Sequence, residues 1–287
     1  MTSSLVGSEM CIRDRFLARL LVLFSLVCIS CAHSSFEQKQ LKHALDFATS
    51  NRLELEILLQ HYTYDSLKLE AAKFLIRNMP HCYSYQQGGE MDSVKRVRTY
   101  YSPFGQIDQT YARRWGHYTY RNLPKIYDAH IITAEYLIDN IDRAFDNWQK
   151  RPWNRSLSFE DFCEYLLPYR IGDEPLEEWR ELYEKKYGYL LDSIYKGSDV
   201  VEAANLVSRH LQEPVFIYCE DFELPHIGPR YLFSHRYGSC VDAADIVTYA
   251  FRAVGIPCME DTDARGGHVW NVCLLYTSPS PRDSTSS

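Results

Sequence analysis

A cysteine and a histidine towards the C-terminal end of the chain have the types and spacing of a thiol catalytic centre. Cys240 begins a segment of helical periodicity that ends at Gly255, and Pro257 cannot continue the helix. The unpaired N–H groups and the positive dipole end at a helix N-terminus stabilise a thiolate and can also hold an oxyanion. His268 follows 28 residues after Cys240 at the start of a predicted strand. The two residues therefore predict a thiolate–imidazolium pair.

Neighbouring residues bear on how this centre is arranged. Gly238 lets a substrate or another backbone approach closely, so Gly238, the backbone of Cys240 and Trp270 are candidates for orientation and oxyanion binding. Asp242 lies in the first helical turn, where its charge would oppose a thiolate, and we expect it to face away from the sulfur. Helical spacing predicts a buried face of the helix and a second, more polar one. The buried face comprises Ala243, Val247, Ala250 and Val254, and the polar face comprises Asp242, Asp245, Tyr249 and Arg252.

Three segments in this order resemble the successive core motifs of the transglutaminase-like superfamily, which includes peptide N-glycanases and many bacterial cysteine peptidases. The segments are 238–242, 252–257 and 268–271, within a stretch that covers residues 206–272. The resemblance implies a papain-like core with a Cys-His-Asp triad. In that triad Cys240 is the nucleophile that forms a thioester, His268 is the general base and acid, and an acidic residue on the next strand orients the imidazole.

The third member of the implied triad is not assigned. Asp283 lies at a suitable distance along the chain, but it falls in a Ser- and Pro-rich tail that resembles translated sequencing-adapter read-through. Residues 1–15 resemble the same kind of scar, and we expect both 1–15 and 273–287 to be spurious tails. The core is then truncated at its C-terminal end, so we expect this chain to be inactive and its intact parent to be active.

Apolar residues at helical spacing predict a predominantly helical N-terminal region over residues 32–205. Together with the core, this region predicts an α+β protein. Asn51 and Asp65 occupy expected N-cap positions, and Ser158 begins a capping-box pattern. Two strands are predicted, at 215–218 and 268–272. Further helices are predicted at 128–150, 158–168, 177–195 and 199–211, after two or three between 36 and 79. Segments 166–170 and 179–180 also resemble the region that precedes this core in exported Bacteroidetes-type proteins.

Residues 16–31 have the pattern of a lipoprotein-type signal peptide. Arg15 and Arg19 precede an apolar run of signal-peptide length, which is too short to span a bilayer, and the run ends at Cys31. We expect Cys31 to be lipidated and the mature protein to be held at the cell envelope by this lipid anchor alone. A plain secretory signal or an uncleaved anchor remains an alternative.

Composition restricts the classes of partner. The net charge is -7 and the chain has no basic stripe, which argues against nucleic acid as a partner. Cysteines occur in no repeated spacing, so we expect neither a disulfide framework nor a metal site, and no cofactor. The leading prediction is a thiol hydrolase of amide bonds acting on peptides, glycopeptides or cell-wall peptides. The alternatives are a non-catalytic protein that binds peptide or glycan in the same cleft, and a structural lipoprotein.

Overall fold

The computed structural model of the chain describes residues 35–89, 91–92, 120–213, 216–218, 225–263 and 267–274. The predicted signal peptide, Cys31, residues 1–15 and Asp283 lie outside these residues. The described part is α+β and mostly helical, as the sequence predicts. Within the described ranges, no helix combines the length and the apolar character needed to cross a bilayer.

Helices make up most of the described chain, and we number them in order. They are α1 (35–47), α2 (Arg52–His61), α3 (Ser66–Asn78), α4 (Ala134–Lys150), α5 (Phe159–Tyr165), α6 (Arg180–Tyr189), α7 (Val200–Leu211), α8 (Pro229–Ser234) and α9 (Cys240–Val254). A π-helical turn, Leu190–Ile194, extends α6. Short 3-10 turns lie at Thr49–Asn51, Met79–His81, Tyr120–Asn122, Asp128–His130 and Pro152–Ser156.

The strands form three two-stranded sheets. They are β1 (Tyr83–Tyr85), β2 (Lys125–Tyr127), β3 (Ile217–Tyr218), β4 (Tyr237–Gly238), β5 (Cys258–Thr262) and β6 (Val269–Cys273). The pairs β1–β2 and β5–β6 are antiparallel, and β3–β4 is parallel. The sequence predicts only the two strands that contain β3 and β6. It misses β1, β2 and β4 because they have only two or three residues each, and β5 because its residues show no alternation of apolar and polar character.

Several predicted helix ends agree with the structure. The side chain of Asp65 accepts from the N–H of Lys68, and that of Ser158 accepts from the N–H of Asp161. Gly255 is left-handed with φ 83° after the end of α9. Asn51 also lies at an N-cap position, but its amide donates to two backbone carbonyls, those of Ala129 and Ile132, and so ties α2 to another part of the chain.

The long helix predicted from residue 128 begins later. A 3-10 turn and two extended residues precede α4, whose N-cap is Thr133. Ile131, predicted on the buried face, is therefore 48% exposed. The physical reason is the side-chain hydroxyl of Thr133, which accepts from the N–H of Tyr136 and starts the helix there.

Two large hydrophobic clusters, with a small third one formed by Tyr85, Met91 and Tyr120, make up the core of the described structure. The first is built mainly by α1 to α5, from Ala44 to Tyr169, and the second begins at Trp179 and is built by α6, α7 and α9. The second cluster thus packs helices from the predicted N-terminal region against the predicted core. The domain boundary at residues 205 and 206 stays a prediction.

Candidate functional site

Cys240 is the first residue of α9, and its thiol is half-buried. The helix is 15 residues long, and its first residue has no intrahelical acceptor for its N–H. Among the described residues, no hydrogen bond links the Cys240 side chain to another group. The predicted start and end of this helix are confirmed. Its N-terminus presents a thiol beside an unpaired backbone donor.

Asp242 caps the N-terminus of α9. Its Oδ2 accepts from the backbone N–H of Ser239 at 2.8 Å and from the Ser239 hydroxyl at 3.0 Å, which forms a capping box. An acidic residue at the third helical position reaches back to satisfy the N-cap donor, while its orientation relative to the Cys240 sulfur stays a prediction. A negative charge therefore lies in the turn that carries Cys240, and the Ser239 N–H is taken.

The same carboxylate explains Gly238. A Cβ atom at this position would lie 2.4 Å from Asp242 Oδ2, so any larger residue would displace the cap. The group that approaches Gly238 closely is therefore the Asp242 side chain. The predicted part of Gly238 in holding substrate stays a prediction.

Strand β6 lies along α9 and is joined to it by the side chain of Asn271. Asn271 donates through Nδ2 to the Ala244 carbonyl at 2.9 Å and to the Thr248 hydroxyl at 2.8 Å. Further along, the N–H of Leu274 donates to the Pro257 carbonyl at 3.2 Å, beyond the end of the helix. The strand thus runs in the same direction as α9. Its first residues, next to His268, lie at the same end as Cys240.

The side chain of His268 lies on the outer side of the β5–β6 hairpin. Residues alternate along β6, so Asn271 faces α9 while Trp270 and Val272 face outwards and are 39% and 36% exposed. The His268 ring lies 6.1 Å from the Trp270 ring and is itself exposed. No hydrogen bond joins His268 to Cys240 in the described residues. The catalytic pair and the orienting part of Trp270 stay predictions.

Other thiols of the described chain differ from Cys240 in their surroundings. Burial raises the pKa of Cys82 to about 11 and that of Cys163 to about 12. The hydrogen bond with Cys273 and burial together raise the pKa of Cys258 well above its ordinary value. Cys273 lies opposite Cys258 in the β5–β6 register, and that hydrogen bond lowers its own pKa. A raised pKa leaves less thiolate at Cys82, Cys163 and Cys258 near neutral pH, so Cys273 is the competitor to control for.

The polar face of α9 is buried. Asp242, Asp245, Tyr249 and Arg252 are between 0% and 5% exposed, while two residues of the predicted apolar face, Ala243 and Val247, are half-buried. Arg252 donates through Nε to the Cys258 carbonyl at 3.0 Å and through Nη1 to the Arg170 carbonyl at 3.1 Å. The helix is thus enclosed on both faces, and its polar face carries internal hydrogen bonds.

Asp245 on this buried face belongs to a group of three ionisable side chains. His226 Nδ1 contacts Asp245 Oδ1 at 2.8 Å and Oδ2 at 3.0 Å. Glu260 on β5 completes the group, and one ligand-type atom from each of the three residues lies within 4.8 Å of the others. Thr248 donates its hydroxyl to Glu260 Oε1 at 3.2 Å. We call these three residues the His226 cluster.

Ionisation in the His226 cluster is strongly perturbed. Burial by itself favours the neutral imidazole, but the Asp245 carboxylate outweighs it and raises the pKa of His226 to about 10. Burial, and then the charge of Asp245, raise the pKa of Glu260 to about 9. Protons are therefore shared in the cluster at neutral pH. The sequence alone does not predict this cluster, because its three residues lie 15 or more positions apart and follow no common periodicity.

Segments 166–170 and 179–180, which resemble the region upstream of the core, form a joint between the two large hydrophobic clusters. Arg180 donates through Nη2 to the carbonyls of Leu166 at 2.6 Å, Leu167 at 3.0 Å and Pro168 at 3.1 Å, and through Nη1 to that of Arg252 at 3.2 Å. The Trp179 indole N–H donates to the Tyr169 carbonyl at 2.8 Å. One buried guanidinium thus connects α6, the 166–168 segment and α9.

A cavity of about 500 Å³ lies away from Cys240. Its lining includes Trp153, Ser198 and Pro257, so it sits beyond the C-terminal end of α9. It contains none of the predicted site residues.

Comparisons with models of known protein families, with characterised proteins and with solved structures give no match to this chain. Its resemblance to the transglutaminase-like superfamily therefore stays a prediction from the three motifs.

Proposed function

We propose that the protein is a thiol-dependent hydrolase of amide bonds, of the transglutaminase-like type, in which Cys240 forms a thioester with the acyl group of a peptide, glycopeptide or cell-wall peptide. The observation that carries this proposal is the position of Cys240, a half-buried thiol at the first residue of a 15-residue helix. The start of β6, next to His268, lies at the same end of that helix, and the reaction requires the outward-facing His268 ring to turn towards the thiol.

The reaction divides into two steps. The Cys240 thiolate attacks the carbonyl carbon, the N–H of Cys240 donates to the oxyanion, and the amine leaves with a proton from the His268 imidazolium. The resulting thioester is then attacked by water, which gives a proton to His268, and the carboxylic acid leaves as the thiolate returns. Resolution by water is favoured over transfer to a second amine because water is abundant at a cell surface.

Rates of alkylation by iodoacetamide at pH 6, read residue by residue by mass spectrometry, test the proposal. The Cys273→Ser variant removes the competing thiol. In that background Cys240 is expected to react at least about tenfold faster than Cys82, Cys163 and Cys258, because only thiolates are nucleophilic. Equal, slow labelling of all four thiols would contradict the proposal.

A matched pair of histidine variants tests the second partner. His268→Ala is expected to slow labelling of Cys240 severalfold at pH 6, since the imidazolium no longer supports the thiolate. His61→Ala removes an exposed histidine from α2 and is expected to leave the rate unchanged. If both variants label Cys240 at the rate of the parent, His268 has no part in activating the thiol.

Binding without catalysis is a second candidate, favoured by the outer face of the β5–β6 hairpin. Met259, Trp270 and Val272 are 37%, 39% and 36% exposed there and offer an apolar surface with an aromatic ring for stacking on peptide or sugar. Under this alternative Trp270→Ala abolishes ligand binding, whereas Cys240→Ser leaves it unchanged. A fluorescence titration with peptidoglycan-derived peptides separates the two outcomes.

A further inference from the structure

The His226 cluster gathers one imidazole and two carboxyl groups in the interior, where they share protons at neutral pH. Asp245 is 0% exposed, Glu260 is half-buried, and with a neutral His226 the two carboxylates carry two negative charges. Two buried guanidinium groups, those of Arg170 and Arg252, have other partners. Arg170 pairs with Asp128, and Arg252 donates to backbone carbonyls. A divalent cation would balance the cluster without any shared proton.

The backbone around the cluster holds the imidazole in one orientation. The N–H of His226 donates to Asp173 Oδ1 at 2.9 Å, and a Cβ atom at Gly172 would lie 2.3 Å from His226 Nε2 and Cδ2. The ring therefore lies directly over Gly172, which leaves Nδ1 towards Asp245. The imidazole is thus held with Nδ1 directed at both oxygens of a single carboxylate, that of Asp245, where it could share a bound ion with that carboxylate.

A second, independent observation concerns Tyr249, one helical turn after Asp245. Its hydroxyl is 0% exposed and has no hydrogen-bond partner among the described residues. The surrounding charges include Glu174, Asp245 and Glu260, and burial followed by these charges raises the pKa of Tyr249 well above its ordinary value. A buried polar group without a partner costs free energy, so this hydroxyl points to a ligand or an ordered water in the same region.

From these observations we propose that His226 Nδ1, Asp245 and Glu260 bind a divalent first-row transition cation such as Mn²⁺ or Zn²⁺. Ligand atoms around one such ion lie about 2.1 Å from it and at most about 4.2 Å from one another. The ligand atoms of the three residues lie within 4.8 Å of one another, and small side-chain rotations bring them within this limit. The mixed nitrogen and oxygen donors favour these ions over Mg²⁺, which prefers oxygen ligands and keeps its waters. This site stands independently of the thiol chemistry of Cys240.

Titration of the chelator-treated full chain with Mn²⁺, followed by electron paramagnetic resonance, tests the site. The matched variants are Glu260→Gln, which keeps the shape of the side chain and can still donate to Asp245, and Asp261→Asn, its exposed neighbour on β5. We expect one bound ion in the parent and in Asp261→Asn, and affinity weakened about tenfold or more in Glu260→Gln. Equal affinity in the two variants, or no saturable binding to the parent, overturns the proposal.

A measurement on the parent protein covers the case in which Glu260→Gln does not fold. Electron spin-echo modulation from ¹⁴N on the bound Mn²⁺ is expected, because His226 places one nitrogen in the coordination sphere. Bound Mn²⁺ without nitrogen modulation would place the ion on surface carboxylates and would overturn the proposal.

Discussion

Asn271 donates its side-chain amide to the carbonyl of Ala244 at 2.9 Å, one helical turn after Cys240. Because Asn271 also donates to Thr248, a single amide holds strand β6 in register along helix α9. This register decides which residues of the predicted site can meet. It brings the beginning of β6 to the end of the helix that bears the thiol and turns Trp270 outwards.

Replacing Asn271 tests this attachment. Asn271→Ala removes both hydrogen bonds and leaves the Thr248 hydroxyl without its donor, so we expect a loss of about 1–3 kcal/mol in the free energy of unfolding. Val272→Ala, at the outward-facing neighbour, should change it by less than about 0.5 kcal/mol. Urea unfolding followed by circular dichroism measures both values. Equal losses in the two variants would show that the amide does not hold the strand.

Removing the negative charge at the helix N-terminus should make Cys240 more reactive. Asp242→Asn keeps a side-chain oxygen that can accept from the Ser239 N–H but carries no charge, so a thiolate in the same turn meets less repulsion. We expect alkylation of Cys240 at pH 6 to quicken about three- to tenfold, with stability reduced by about 1 kcal/mol or less. An unchanged or slower rate in a folded variant would indicate that Asp242 supports the thiol instead of opposing it.

The joint built by Arg180 should not tolerate lysine. A lysine ammonium cannot present the planar donors that reach the carbonyls of Leu166, Leu167, Pro168 and Arg252 together. We expect Arg180→Lys to lower the free energy of unfolding by about 3 kcal/mol, since buried carbonyls lose their donors. Arg209→Lys, on the exposed side of α7, is the control and should be nearly neutral. Thermal and urea unfolding provide the comparison.

The pairing of Asp192 with Arg151 should make stability depend on acidity. Burial acts to raise the pKa of Asp192, but hydrogen bonds from Lys150 and Arg151 outweigh it, and the pKa in the folded state is lowered from 3.8. The native state thus holds this proton less tightly than the unfolded state, so the contribution is present above pH 3.8 and is lost as the pH falls through the lowered value.

Asp192→Asn is the corresponding variant. We expect it to cost about 1 kcal/mol at pH 7, a small value because the carboxylate is partly exposed and screened. The difference from the parent should be smaller near pH 3 than at pH 7, because the parent loses this charge as the pH falls through the lowered pKa of Asp192. Urea unfolding at the two pH values measures it, and a difference of equal size at both would rule out the carboxylate as the cause.

Local features of the sequence predict α9 well. A Ser before Cys240, helical spacing and a glycine followed by Pro257 define the start and the end of this helix, because capping and backbone preferences act within a few residues. The same locality predicts the caps at Asp65 and Ser158. Short strands such as β1 and β4 escape prediction because their two or three residues gain stability only from a partner distant in the chain.

By itself, the sequence determined an α+β chain, the helix that begins at Cys240 and the caps that start several other helices, since these depend on neighbouring residues. Only the tertiary structure decided that the polar face of α9 is buried and that His226 and Glu260 gather around Asp245. These arrangements join residues that are far apart along the chain. Burial and charge perturb them only after packing has removed water from around them.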